Sequence, residues 1–173
     1  MRRIAVVPAI VVVVVVFAVG GALPAGARPV VETFPISFTL SSATCSNLPS
    51  GTTITGSGTE KSITTIRTDG SGVTTVINAT HAHGTATDQD LNVYVFDYSN
   101  EFRASNTVAN PDLLSGLMTD HFSLSGSGPA TLNNGFVAHF TASFDFSFFS
   151  AQPISSHGDP IDFSDGSRHC DPL

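Results

Sequence analysis

Between Thr33 and Leu40, and again between Phe136 and Phe148, apolar side chains recur at every second position with little interruption. A two-residue period places successive side chains on opposite faces of an extended chain, so it specifies half-buried β-strands and excludes amphipathic helices over the same residues. In the first segment Phe34, Ile36, Phe38 and Leu40 share one face, and Thr33, Ser37 and Thr39 share the other. In the last, Phe136, Ala138, Phe140, Ala142, Phe144, Phe146 and Phe148 share a face opposite Val137, His139, Thr141, Ser143, Asp145 and Ser147.

The residues between carry the same signal, cut by turns. Asn47, Pro49, Ser50 and Gly51 mark a bend, followed by the Thr- and Ile-rich stretch Thr52 to Arg67. Its alternation slips around Gly56 and Gly58, which predicts a bulge or bend there. Asp69-Gly70-Ser71-Gly72 predicts a hairpin turn, with a return strand over Val73 to Thr87. Asp88-Gln89-Asp90 predicts the next turn, and Asn92 to Tyr98 a strand with Tyr94, Phe96 and Tyr98 on one face, continued or paired by Glu101 to Thr107. Asn110-Pro111-Asp112 reads as a short helical turn, Leu117 to Ser125 as a strand, and Asn134-Gly135 as a second hairpin turn. Seven or eight strands joined by short turns predict an all-β antiparallel meander. It is expected to close as a small up-and-down, lipocalin-like β-barrel, with a two-sheet β-sandwich as the alternative. On this facing, Phe140→Ala and Phe144→Ala each cost about 3–5 kcal/mol.

The first 27 residues read as an export signal. Arg2 and Arg3 precede an uncharged stretch from Ile4 to Val19, and Ala25-Gly26-Ala27 fits a small-residue cleavage site. At 16 residues with Pro8 inside it, the stretch is short of the ~20 that span a bilayer. Cleavage leaves residues 28–173 as one domain, with five basic against fourteen acidic side chains, a net charge of −9. That excess argues against nucleic-acid partners, and the polar C-terminal stretch gives no anchor. A secreted or envelope-associated product without stable membrane insertion is expected. The two cysteines, Cys45 and Cys170, are then expected to form a disulfide worth about 4–5 kcal/mol, holding the C-terminal tail to the first hairpin.

The stretch Gly51 to Asp97, with Glu60-Lys61-Ser62-Ile63 and Asn78-Ala79-Thr80-His81-Ala82-His83-Gly84, and the tail Ser155-Ser156-His157-Gly158-Asp159-Pro160 to Cys170, resemble small secreted bacterial β proteins of uncharacterised function. The resemblance implies export and a β fold, and brings no catalytic residues.

Candidate chemistry is sparse. His81 and His83, two apart on a strand, share a face and form half of a zinc site, to which His121 and His139 are the candidates to add ligands. Asp88-Gln89-Asp90 opens like a calcium loop, but Val93 and Ser99 stand where such a loop needs Gly and Glu, so an Asx-stabilised turn is the better reading. No nucleophile elbow is present; Gly126-Ser127-Gly128 is a turn with no helix after it. Asn78-Ala79-Thr80 is a glycosylation sequon in mid-strand. The sequence therefore points to a non-enzymatic β-barrel without a cofactor that binds a small apolar ligand or an envelope partner, with Phe136, Phe140, Phe144, Phe146 and Phe148 facing the ligand. The alternative is a barrel-type cyclase or isomerase, or a metal-dependent enzyme using His81 and His83.

Overall fold

A computed structural model describes residues 28–145, 147–159, 161–162 and 169–170. The export segment and Phe146 lie outside the described residues. The chain forms β1 (Val30–Ser41), β2 (Thr53–Thr68), β3 (Thr74–Asp88), β4 (Val93–Thr107), β5 (Asn110–Gly126), β6 (Leu132–Ser143) and β7 (Phe149–His157), then two short strands, β8 (Ile161–Asp162) and β9 (His169–Cys170). The first seven make one antiparallel sheet in sequential order, β1-β2-β3-β4-β5-β6-β7, and β8 pairs with β9 in a small second sheet. Among the described residues there is no helix. The all-β meander is as the alternation predicts.

Closure is not. Among the described residues no ladder joins β1 to β7, which are the two edges of the sheet. Both edges carry proline, which cannot donate to a ladder: Pro35 in β1 and Pro153 in β7. Strand β7 is also shifted by an extra residue where Val137 pairs with Ser155 and Ala138 with Pro153. A two-sheet sandwich is not formed either, since the second sheet has only two strands of two residues each.

The buried face is instead covered largely by its own side chains. Even-numbered residues of β1 to β6 face inward. Phe38 of β1 meets Phe96 of β4 edge-to-face at 4.8 Å between centroids, and Phe122 of β5 at 5.8 Å. Rings three and four strands apart can meet because β2 and β3 carry only glycine or alanine beneath them, Gly56 paired with Ala86 and Gly58 with Gly84. A Cβ on Gly58 would stand 2.9 Å from Phe96 Cζ. The ladders of β2 run through Gly56 and Gly58 without a register shift, so these glycines make room for rings rather than a bulge.

The disulfide Cys45–Cys170 is formed, with Cα atoms 4.9 Å apart, and ties β9 to the loop after β1. Both cysteines and Ile161 belong to the core cluster that holds Phe38, Phe96 and Phe122. A second cluster, of Val76, Ala104, Leu114, Met118, Ala138, Phe140 and Ala142, fills the other end of the same face.

Three local expectations give way to sheet pairing. Asn110-Pro111-Asp112 begins β5 rather than a helical turn. Thr107 pairs with Asn110 across a tight reversal, and the Asn106 side-chain amide donates to the Pro111 carbonyl. Asn134-Gly135 lies inside β6, opposite Phe122 and His121; the chain reverses earlier, between Gly126 and Leu132. The buried Asn134 side chain donates to the Asp159 carbonyl (2.6 Å) and accepts from the Asn47 amide (2.5 Å). Finally, β6 stops at Ser143 although the phenylalanine alternation continues. The Asp145 carboxylate accepts from the Ser143 and Ser147 hydroxyls (2.6 and 2.8 Å) and from the Ser147 amide, which turns the chain. These bonds, the Ser143 hydroxyl first, hold the Asp145 carboxyl down at a pKa of about 2. Phe144 and Phe148 therefore lie on an exposed turn, 42% and 49% accessible, and not on the core face.

Candidate functional site

Following the strand register across the sheet reveals what separates the two core clusters. One inward-facing row runs Glu32, Ser62, Thr80, Asn100, Asp120, Phe136 and Ser156, one residue from each of β1 to β7. The adjacent row on the same face runs Phe34, Glu60, Ala82, Tyr98, Phe122 and Asn134. A band of carboxylates, hydroxyls and amides thus crosses the apolar face of the sheet at one level. Apart from Asp120, Tyr98, Ala82, Phe122 and Asn134, which are buried, its members are half-buried or, at Ser156, exposed.

Burial of polar groups on such a face requires partners, and the band supplies them internally. The Tyr98 hydroxyl donates to Asp120 Oδ2 at 2.7 Å, and the Asn100 amide donates to the same oxygen at 3.1 Å. On the far side the Asn78 amide donates to the hydroxyls of Ser62 (2.9 Å) and Thr64 (2.8 Å), and Thr80 donates to Asn78 Oδ1 (3.1 Å). Burial is the main force that raises the Tyr98 phenol well above its ordinary range. The negative charge of Asp120, its hydrogen bond and the charge of Glu60 push the same way. Tyr98 therefore stays a protonated donor, and Asp120 is held as its acceptor. Glu60 stands level with Tyr98, separated from it by the small Ala82.

On each side of the band lie aromatic rings. Phe38 and Phe96 flank one side, both in ring contact with Phe122 of the band. Phe102, Phe140 and Phe149 flank the other, with Phe140 5.6 Å from Phe102 and 5.7 Å from Phe149.

The residues singled out from the sequence fall in different places. Phe136 sits in the polar row, half-buried, and Phe140 is buried in the second cluster. His81 and His83 are exposed on the opposite face of β3, level with Lys61 and Ser99, and with Thr59 and Asp97. His121 and His139 also face outward, and among the described residues no group of three or more His, Cys, Asp or Glu side chains could hold a metal ion. Asp88 is used up by its own turn. Oδ1 accepts from the Asp90 and Asn92 backbone amides (2.9 Å each), and Oδ2 accepts from the Asn92 side chain (2.9 Å) and the Tyr94 hydroxyl (2.8 Å). These bonds, that of the Asn92 side chain foremost, lower its pKa. Asn78 of the sequon points inward.

Tyr98, Asn100, Asp120 and Glu60 were not legible as a site from the sequence. The available signal is a break in each strand's apolar parity, as in Ile54-Gly56-Gly58-Glu60-Ser62-Thr64-Ile66, but only the register aligns those breaks. No protein-family model, curated protein or solved structure matches this chain.

Proposed function

We propose that this protein is an exported, non-enzymatic binding protein that holds a small amphipathic molecule against the inward face of its sheet. The apolar body lies on the aromatic clusters, and a hydrogen-bond-donating or cationic group meets Glu60, Asp120 and their partners. One observation carries the reading: a level band of polar and acidic side chains interrupts an otherwise apolar, aromatic face. A face that only filled a core would have no use for three carboxylates at that level, because buried charge costs stability unless compensated. The leader-like N-terminus and the disulfide support export to an oxidising compartment.

Thermal shift with alkyl ligands of equal chain length and different heads tests this. Amine- or alcohol-headed ligands should raise the melting temperature; at a hundredfold excess over Kd the stabilisation is about 2.7 kcal/mol. Carboxylate-headed ligands should not, and Asp120→Asn should erase the difference. A panel in which no head group raises the melting temperature, or all do so equally, refutes the reading.

The alternative, an isomerase or cyclase, draws support from the Tyr98–Asp120 contact, which could position a protonated phenol beside a bound substrate. Turnover of a bound ligand that stops in Tyr98→Phe while binding persists would favour it over a carrier.

A further inference from the structure

The outward face of the sheet carries a patch that is complementary to itself. Register places Ala79, Glu101 and Thr119 at one level across β3, β4 and β5, and Ile77, Arg103 and Leu117 at the next. Glu101 and Arg103 are both exposed and two residues apart on β4, so they project from the same face about 6.8 Å apart along the strand. Each is flanked in its own sheet by uncharged side chains, the acid by Ala79 and Thr119, the base by Ile77 and Leu117. The patch has relief as well as charge. Ile77 and Leu117, 36% and 46% exposed, stand up at one level, whereas Ala79 and Thr119 leave space at the other. Together the six side chains rim an open hollow of about 290 Å³. Its floor is backbone, because the residues between the two levels, Asn78, Phe102 and Met118, turn their side chains inward.

We propose that this patch is a homodimer interface, at which two copies of the chain pack sheet against sheet. A twofold axis lying between the copies, perpendicular to the strands and above Phe102, exchanges the two levels. It sets Glu101 against Arg103 of the second copy, and Arg103 against Glu101. It also brings Ile77 over Ala79 and Leu117 over Thr119. Every central contact then joins unlike charge or unlike size, at the spacing of about 10 Å and the near-aligned strands of ordinary sheet packing. The chain's formal net charge of −7 does not oppose this approach, because the outward charged side chains of β2 to β6 are Lys61, Arg67 and Arg103 against Asp97 and Glu101. The sheet curls inward, since Phe38 of β1 reaches Phe122 of β5, so its outward face is convex. Lys61 and Arg67 of β2 would face each other as like charges, but the curvature carries them apart. Contact is thereby confined to the three central strands, which makes the dimer weak and reversible. Val93 and Val95, also exposed on this face, lie more than about 20 Å along β4 from the axis and outside the contact. The interface lies opposite the carboxylate band and does not depend on what that band binds.

Sedimentation equilibrium of the protein purified from the culture medium, at low salt and from about 10 μM to 1 mM, tests it. The parent should show a monomer–dimer equilibrium. Glu101→Arg sets base against base at both charge pairs, and Arg103→Glu sets acid against acid, so each should raise the dimer Kd at least about tenfold. Mixing the two variants in equal amounts makes both pairs unlike again and should restore association, as should the exchange Glu101→Arg/Arg103→Glu within one chain. Both positions are exposed, so every variant should melt close to the parent. A parent that stays monomeric at the highest concentration, a dimer that neither reversal weakens, or folded variants that fail to associate when mixed overturns the inference.

Discussion

Phe140 and Phe144 are four residues apart and share one alternation, so the sequence alone gives them equal weight. The structure does not. Phe140 is 3% exposed, packed edge-to-face on Phe102 and stacked on Phe149, with Gly116 opposite it in β5. Truncating it to alanine removes a buried ring and leaves a cavity that the β-ladders on both sides prevent from collapsing fully. The expected loss is about 3–5 kcal/mol. At about 2–4 °C per kcal/mol for a domain of this size, the melting temperature should fall by about 6–20 °C. Phe144 lies beyond the end of β6 on the Asp145 turn, 42% exposed, and its truncation should change stability by less than about 0.5 kcal/mol. Chemical denaturation of the two variants and the parent, fitted with a shared m-value, makes the comparison direct. Equal losses would mean that β6 runs on past Ser143 and that the turn assigned to Asp145 is wrong.

Three further outcomes follow from the same packing. Cys45→Ser/Cys170→Ser should lose about 4–5 kcal/mol, because the closed loop of 125 residues no longer restrains the unfolded chain; a denaturation midpoint within error of the parent would contradict this. Gly58→Ala should cost about 1–3 kcal/mol, since the new methyl meets the His83 carbonyl and the Phe96 ring. Gly70→Ala, with nothing within 4 Å, should be close to neutral, and similar losses for both would remove the role given to the glycine strip. Both tyrosines are raised above 10.0, mainly by burial and then by Asp88 for Tyr94 and Asp120 for Tyr98. The folded state therefore keeps protons that the unfolded chain releases, so this contribution is intact below pH 10 and stability falls as the pH rises above it. Ultraviolet titration should show tyrosinate appearing only together with unfolding; a tyrosine ionising near pH 10 in folded protein would refute the burial argument.

Strand content, strand order and the sulfur bridge were legible in the chain. Alternation of Phe34, Ile36, Phe38 and Leu40 can be satisfied only by one buried face, and Asp69-Gly70 and Asp88-Gln89 can be read as turns from local chemistry alone. Local signals failed where a long-range partner outweighed them. Asn134-Gly135 has the composition of a turn, yet Asn134 is held by Asn47 and Asp159 from distant parts of the chain. The phenylalanine run past Ser143 has the composition of a strand, yet one carboxylate, that of Asp145, bends it away.

By itself, then, the sequence determined which side chains share a face, because that depends only on the two-residue period of an extended chain. Whether the edges join, which glycines lie under which rings, and which polar residues of different strands stand level depend on register, a relation between segments distant in sequence. The carboxylate band on one face and the two-level patch on the other exist only through that register. Glu60, Tyr98 and Asp120 become neighbours, and Ile77, Arg103 and Leu117 become a row, once seven strands are laid side by side.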